Sequence, residues 1–264
     1  MGMTAQGTDK SPQPLHVHRY GPAGAPRVLA LHGLTGHGRR WERLAEDQLS
    51  GVAVAAPDLI GHGRSTWSAP WSIDANATAL ADLIAEPVVL VAHSFGCAVA
   101  LRLAADRPDL VAALVLLDPA VGLSGGWMAE IADAMFASPD YTDAAEARSE
   151  KTSGSWADVD EVQLDAEFAE HLVERPDGRV GWRISIPAMM SYWSELSRDI
   201  PLPPKHIPVT VVRAAKTSPP YVTPRLVETL RDRPDFTMVE MDCHHMVPLA
   251  RPVETAELIR ERLG

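Results

Sequence analysis

The 264-residue chain is 46% hydrophobic and 22% charged, which is enough apolar sequence for one large core near the upper size of a single domain. Its net charge of -11 would repel phosphate backbones, so we expect no nucleic-acid partner. Residues 1–10 are polar, and no apolar run approaches the ~20 residues of a membrane span, so the sequence predicts a cytoplasmic protein without a signal peptide. The two cysteines, Cys97 and Cys243, are too few for a disulfide framework and are expected to be buried thiols.

Short apolar runs rich in β-branched residues recur along the chain and alternate with helical patterns. This alternation predicts an α/β fold with a mostly parallel, twisted sheet and helices on both faces, because each parallel connection needs a covering helix. Residues 15–20 alternate with period two, so we expect them to add an antiparallel edge strand. The strands predicted for the parallel sheet are 28–31, 52–55, 88–92, 114–117, 209–212 and 236–241.

The strand pattern stops after residue 118 and resumes near Pro208. Between them, short helices broken by Gly and Pro are predicted at 127–136, 158–174 and 187–196. A structureless loop of this length would be unusual in a compact domain, so we predict a helical cap over residues 121–205. The core is then formed by residues 1–120 and 206–264. Several large apolar side chains of the cap can line a pocket, although packing within the cap is the default role for each: Trp127, Trp156, Trp182, Met189, Met190 and Trp193.

A serine follows the strand at 88–92, where a helical pattern begins. A serine at such a sharp turn is exposed above the sheet, and the helix N-terminus favours negative charge that develops beside it. Ser94 is therefore the predicted nucleophile. Gly96 fills the second small position of the G-x-S-x-G pattern, while Ala92 replaces the first glycine. The alternative role for Ser94 is that of a helix N-cap.

Two glycine-bearing loops follow other predicted strands. The loop 32–34 can aim a backbone N–H at a reacting carbonyl oxygen, together with the N–H of the residue after the nucleophile. The predicted oxyanion donors are thus Leu34 and Phe95, and a structural hydrogen bond is expected for the His32 side chain. The loop 58–65 carries two glycines suited to left-handed conformations, and we expect it to brace the site.

Taken in chain order, these segments resemble the motifs of the α/β-hydrolase superfamily, specifically its capped single-domain esterases and related hydrolases. The similarity covers nearly all of the chain except the cap, and it implies an α/β-hydrolase fold acting on a small-molecule, ester-like substrate. No zinc-ligand spacing or phosphate-binding glycine loop is present, so we expect no metal and no organic cofactor. The motifs are Leu31-His32-Gly33, Asp58-x-x-Gly61-x-Gly63-x-Ser65, His93-Ser94-Phe95-Gly96, Leu116-Leu117-Asp118-Pro119 and His245-Met246-Val247-Pro248.

The resemblance places the catalytic base in the loop after the last strand, where two adjacent histidines stand. His245 is the predicted base, because apolar residues and Pro248 follow it as in the family pattern. His244 then takes the place of the usual glycine, and two roles stay open for it: a place at the rim of the pocket, or a surface histidine without function.

The acid departs from the family pattern. Relatives usually carry it after the penultimate strand, but residues 201–227 contain no Asp or Glu. Asp118 ends the strand that follows the nucleophile helix, and neighbouring strand ends open onto the same crevice. Some members of the superfamily, including haloalkane dehalogenases, place the acid there. Asp118 is therefore the predicted acid. The alternatives are Asp242 as the acid, or a degraded Ser–His dyad without an acid. The plainer role for Asp118 itself is to cap the turn that follows the strand.

The predicted reaction is hydrolysis of a small or medium apolar ester through an acyl-enzyme on Ser94. The same triad can serve carbon–carbon bond hydrolysis or a lyase like that of the menaquinone pathway. An anionic substrate of that kind would need basic residues facing the pocket, and the cap supplies few: Lys151, Arg175, Arg179 and Arg183. A non-catalytic ligand-binding protein is the third possibility, because the usual acid is missing.

Overall fold

The computed structural model describes residues 15–199 and 202–264, so the prediction made for residues 1–10 lies outside the described part. Its strands are β1 (Val17–Tyr20), β2 (Val28–Leu31), β3 (Val54–Pro57), β4 (Val88–His93), β5 (Val111–Leu117), β6 (Leu172–Glu174), β7 (Val180–Trp182), β8 (Val209–Ala214) and β9 (Phe236–Met241). Seven of them form one sheet in the order β1-β3-β2-β4-β5-β8-β9. β1 pairs antiparallel with β3, and the other pairings in this sheet are parallel, as the sequence predicted.

Apolar side chains fill both faces of this sheet. Along β2, Leu29 and Leu31 belong to one buried cluster, whereas Val28 and Ala30 belong to the cluster on the opposite face. Successive residues of a strand point to opposite faces, so a strand buried on both sides is apolar throughout. This explains why the parallel strands appear in the sequence as continuous apolar runs.

The helices begin at residues that suit a helix N-terminus. The Ser72 hydroxyl accepts a hydrogen bond from the Ala75 N–H, and Thr223 does the same for Leu226. The helices are α1 (Ile73–Ala81), α2 (Phe95–Asp106), α3 (Gly125–Ala137), α4 (Ala144–Thr152), α5 (Glu161–His171), α6 (Ile186–Glu195), α7 (Pro224–Arg231), α8 (Val247–Ala250) and α9 (Pro252–Leu263). No helix in the described ranges combines the length and the apolar character needed to cross a membrane. Cys97 and Cys243 are free and buried, as predicted.

Residues 121–205, called the cap segment below, contain α3 to α6 and the β6–β7 pair. The helix predicted over 158–174 is wrong at both ends, since Asp160 is the N-cap of α5 and residues 172–174 form β6. The chain turns at Gly178, whose φ of 82° lies in the left-handed region, and Leu172 then pairs with Trp182. A short hairpin of this kind depends on pairing with β7, which the helical pattern of the first strand does not reveal.

We expect Val91→Ala, in the middle of β4, to lower the free energy of unfolding by about 2 kcal/mol, because it removes two buried methyl groups and leaves a cavity. Val162→Ala on α5 is the matched control, since Val162 is 66% exposed and its truncation should change stability by less than about 0.5 kcal/mol. Urea unfolding followed by circular dichroism measures both. Equal effects of the two substitutions would contradict the two-sided burial of β4.

Candidate active site

Ser94 lies in the sharp turn between β4 and α2, with φ 53° and ψ -118°. A non-glycine residue in the left-handed region is strained, and such strain clusters at functional sites. The Ser94 hydroxyl makes no capping hydrogen bond, so the alternative role as an N-cap is not realised. Gly96 is required two residues later, because a Cβ there would lie 2.6 Å from the His32 carbonyl oxygen.

The loop after β9 brings His245 to the end of β5. The His245 Nδ1–H donates to Asp118 Oδ2 at 2.5 Å, which joins the predicted base to the predicted acid across 127 positions of sequence. A proton on Nδ1 leaves Nε2 with a free lone pair, the state that a general base requires. Asp118 itself is 1% exposed and has a left-handed φ of 43°.

The loop after β8, where the family resemblance places the usual acid, supplies hydrogen-bond donors here. The Ala214 N–H donates to Asp118 Oδ1 at 3.2 Å, and the Thr217 hydroxyl donates to Oδ2 at 3.4 Å. These donors stabilise a carboxylate that would be costly to bury alone. Asp242, the alternative acid, has a side chain that is 83% exposed and lies 3.8 Å from Lys216 Nζ.

The loop after β2 passes directly beside Ser94. A Cβ on Gly33 would lie 2.8 Å from the Ser94 Cβ, so only glycine allows this approach. Leu34 follows, and Thr35 has a left-handed φ of 59°. Phe95 begins α2, and the first N–H groups of a helix have no partner within it. The two predicted oxyanion donors therefore flank the serine on adjoining segments.

The His32 side chain has the structural role that was expected. The Leu59 N–H donates to His32 Nε2 at 2.9 Å, so the ring proton is on Nδ1 and is donated to the Gly33 carbonyl at 2.8 Å. Burial, reinforced by the neighbouring His62, holds the pKa of His32 well below its usual value, so the ring is neutral. His32 thus ties the loop beside Ser94 to the loop at 58–65.

The loop 58–65 braces the site through Asp58, whose carboxylate accepts the N–H groups of Gly38 at 2.6 Å and Arg64 at 2.8 Å. Burial raises the pKa of Asp58, but these hydrogen bonds and the nearby His18 ring outweigh it and hold that pKa well below its usual range. His16, His18 and Asp58 are also the one group in the described residues whose side chains could share a metal ion. The Asp58 oxygens already accept two backbone N–H groups, and His18 Nε2 lies 3.3 Å from Oδ1.

Sequence reasoning missed two residues that contact the base. The His93 Nε2–H donates to the His245 carbonyl at 2.8 Å, and burial together with His245 holds the pKa of His93 well below its usual value. On another side, the Tyr221 ring centroid lies 4.3 Å from that of His245. His93 belongs to the motif around Ser94, so its position was visible in the sequence, whereas its partner 152 residues away was not.

Two pockets lie near the loops of the candidate site, although Ser94 itself lines neither of them. One, of about 300 Å³, is lined by both His244 and His245 together with Tyr221 and Trp127, so His244 is at the pocket wall and its N–H donates to Asp158 at 2.6 Å. The other, of about 480 Å³, is lined by Thr35 and by cap-segment residues that include Trp156 and Trp182. Ser155 lines both pockets. Met189 instead packs fully buried in the core.

Comparisons with known proteins show which family and which folds the chain resembles. The profile of the Alpha/beta hydrolase family matches residues 28–258. Lipase LipV of Mycobacterium tuberculosis is 60% identical over 256 residues, covering 95% of this chain and 98% of that protein. The sn-1-specific diacylglycerol lipase ABHD11 of Mus musculus is 30% identical over 202 residues, covering 72% of this chain and 66% of that protein. The crystal structure of E-2-(acetamidomethylene)succinate hydrolase superposes with a TM-score of 0.80 at 23% identity, covering 94% of both chains.

We expect Gly96→Ala to destabilise the fold by about 1–3 kcal/mol, because its Cβ would press on the backbone oxygens of His32 and Leu31. Gly126→Ala is the matched control. Gly126 is likewise the second residue of its helix, but its Cβ would meet only Ser124 Oγ at 3.8 Å. The control should keep or slightly raise stability. Urea unfolding midpoints test the pair, and an undiminished midpoint for Gly96→Ala would refute the close approach of α2 to β2.

Proposed function

The chain belongs to the alpha/beta hydrolase family, and on that premise we propose that it hydrolyses carboxylic esters through an acyl-enzyme on Ser94. His245 is the general base and acid, and Asp118 orients it. The observation that carries this function is the 2.5 Å hydrogen bond between His245 Nδ1 and Asp118 Oδ2, formed beside a serine in a strained turn. Lipases and esterases among the relatives support the ester class.

The reaction follows from the proton positions. His245 Nε2 takes the Ser94 hydroxyl proton as Oγ attacks the ester carbonyl, and the N–H groups of Leu34 and Phe95 stabilise the oxyanion. Collapse of the tetrahedral intermediate breaks the ester bond, and the imidazolium gives its proton to the departing alcohol. Water then attacks the acyl-enzyme with His245 as base, which releases the carboxylic acid and restores Ser94. Asp118 stabilises the imidazolium throughout.

The two pockets suit the acyl and the alcohol parts of one ester. Thr35, next to the proposed oxyanion donor Leu34, lines the 480 Å³ pocket, and although Glu150 and Lys151 also line it, its tryptophan and aliphatic side chains suit an acyl chain of small or medium length. The 300 Å³ pocket is lined by His245, which must protonate the leaving alcohol, so we assign the alcohol to that side. An apolar ester is favoured over an anionic one.

The basic residues of the cap segment do not favour the anionic alternatives. Arg175 and Arg179 lie by Asp140, at 3.8 Å and 2.5 Å, and Arg183 donates to a carbonyl oxygen. Lys151 does line the larger pocket, but its ammonium pairs with Glu167 at 3.2 Å. Of these four cations, Arg183 alone has no carboxylate partner among the described residues, and it lines neither pocket, so a carboxylate-rich substrate of a carbon–carbon hydrolase or lyase would find no free cation at the pocket walls.

We expect a fluorophosphonate probe to label the protein on Ser94, because the mechanism requires an activated serine beside an oxyanion hole. Peptide mass spectrometry locates the adduct, and Ser94→Ala is the unlabelled control. Folded wild-type protein that acquires no adduct on Ser94 and hydrolyses no p-nitrophenyl ester would be a ligand-binding protein instead.

Asp118→Asn should lower kcat for p-nitrophenyl butyrate by about 10⁴-fold, since an amide stabilises the wrong imidazole tautomer and no imidazolium. Asp242→Asn is the control for the alternative acid, and because its side chain is exposed, kcat should stay at the wild-type level. Steady-state kinetics at one pH measure both variants. The reverse ranking of the two substitutions would move the acid to Asp242.

A further inference from the structure

The Thr35 carbonyl connects the loop beside Ser94 to the cap segment. Thr35 is β-branched, and its φ of 59° places it in a region that such residues rarely adopt. A conformation of this kind costs on the order of 1–3 kcal/mol and persists only where surrounding contacts impose it. Two side chains supply those contacts. His171 Nε2–H donates to the Thr35 oxygen at 2.8 Å, and Arg40 Nη2 donates to it at 3.1 Å.

Arg40 is in turn held by the cap segment. Its guanidinium binds Glu167 of α5 in a bidentate manner, with Nε to Oε2 at 3.0 Å and Nη2 to Oε1 at 2.5 Å. The Glu167 side chain is 2% exposed and also accepts hydrogen bonds from His37 at 2.9 Å and Lys151 at 3.2 Å. Burial raises the pKa of Glu167, but Arg40, Lys151 and His37 outweigh it and keep the carboxylate charged.

Lys151 completes this buried cluster from α4. Its ammonium lies 3.9 Å from the ring centroid of Trp182 and 4.1 Å from that of Trp156, a cation–π arrangement between two indoles. Burial lowers the pKa of Lys151 to about 8, while Glu167 favours its charged form. The cluster therefore joins α4, α5 and the β6–β7 pair to the Arg40 guanidinium, which contacts Thr35.

His171 is fixed as a neutral donor. Glu167 and His171 are four residues apart on α5, so both lie on the helix face that meets the core. The Trp182 indole stacks on the His171 ring at 5.9 Å and 15°, and the His37 ring lies 4.7 Å away. Burial, with His37 as the next contribution, holds the pKa of His171 well below its usual value. Its Nδ1 has no hydrogen-bond partner among the described residues, so its contact with the loop is made through Nε2.

Building on the function proposed above, we propose that His171 and Arg40 are positioning residues. They hold the loop beside Ser94, residues 32–35, here called the oxyanion loop, through the Thr35 carbonyl. Docking of α5 on the core thereby fixes the direction of the Leu34 N–H. Neither residue touches the reacting atoms. Their contribution is pre-organisation: an oxyanion donor acts strongly only when it is already aimed at the charge that develops in the transition state.

The test is His171→Leu, which removes the donor but keeps an apolar side chain beside Trp182. We expect kcat for p-nitrophenyl butyrate to fall about 10- to 100-fold with KM within about 3-fold, a smaller loss than the 10²–10³ of deleting an oxyanion donor. Affinity for an alkyl trifluoromethyl ketone, whose tetrahedral adduct carries an oxyanion, should fall in parallel with kcat/KM. His171→Gln places an amide N–H near the position of Nε2 and should recover kcat to within about 5-fold.

Arg43→Ala is the matched control, because Arg43 also joins the cap segment to the core, at 3.1 Å from Asp160, but does not touch Thr35. It should leave kcat and ketone affinity unchanged. If His171→Leu does not fold, Arg40→Lys decides the question, since lysine keeps the charge beside Glu167 but cannot reach both Glu167 and Thr35. The same fall in kcat and ketone affinity is expected.

Wild-type turnover and Ser94 labelling are measured in the same preparations. An active, labelled wild type with an undiminished kcat in the folded His171 or Arg40 variant would overturn the positioning role alone. A fall in kcat without a fall in ketone affinity would also overturn it, because that result would place the defect outside the oxyanion loop. An inactive, unlabelled wild type would overturn the proposed function as well.

Discussion

The hydrogen bond between His245 and Asp118 is the interaction on which the candidate site depends, because it joins the last loop of the chain to the end of β5. The Asp118 side chain that takes part in it is buried, at 1% exposure. A buried carboxylate needs donors for its other lone pairs, and the loop after β8 provides the Ala214 N–H and the Thr217 hydroxyl. The loop after β8 thus contributes hydrogen-bond donors to the candidate site.

Backbone strain is also found at the candidate site. Among the described residues, the non-glycine positions with positive φ are Thr35, Ser94 and Asp118. They follow β2, β4 and β5, which are consecutive in the sheet. Each of these residues is held by contacts on more than one side, such as the Ala120 N–H that donates to the Ser94 carbonyl at 3.3 Å. The continuous apolar core beneath the three strand ends offsets strain of about 1–3 kcal/mol at each position.

The sequence predicted the features that depend on local motifs or on periodic apolar patterns. Apolar runs placed the parallel strands, and the resemblance to the family then selected Ser94, His245 and Asp118 from the residues that follow them. The contacts that complete the site join residues far apart in sequence, and these could not be predicted. Arg40 and Glu167 are 127 positions apart, and each alone resembles an ordinary charge on a solvated surface. The end of α5 was misplaced for a similar reason, because β6 exists only through its pairing with β7.

The cap segment lies close to Asp118 in the chain. Asp118 follows β5, the cap segment begins three residues later, and the Leu123 N–H donates to the Leu196 carbonyl at 3.0 Å, which brings the start and the end of the cap segment together. The loop after β8 has no acid to present, so its residues are available to line the smaller pocket, where Tyr221 packs against the His245 ring. α5 contacts the opposite side of the site through Glu167 and His171. The cap segment and the loop after β8 therefore both contribute residues around the ends of the central strands.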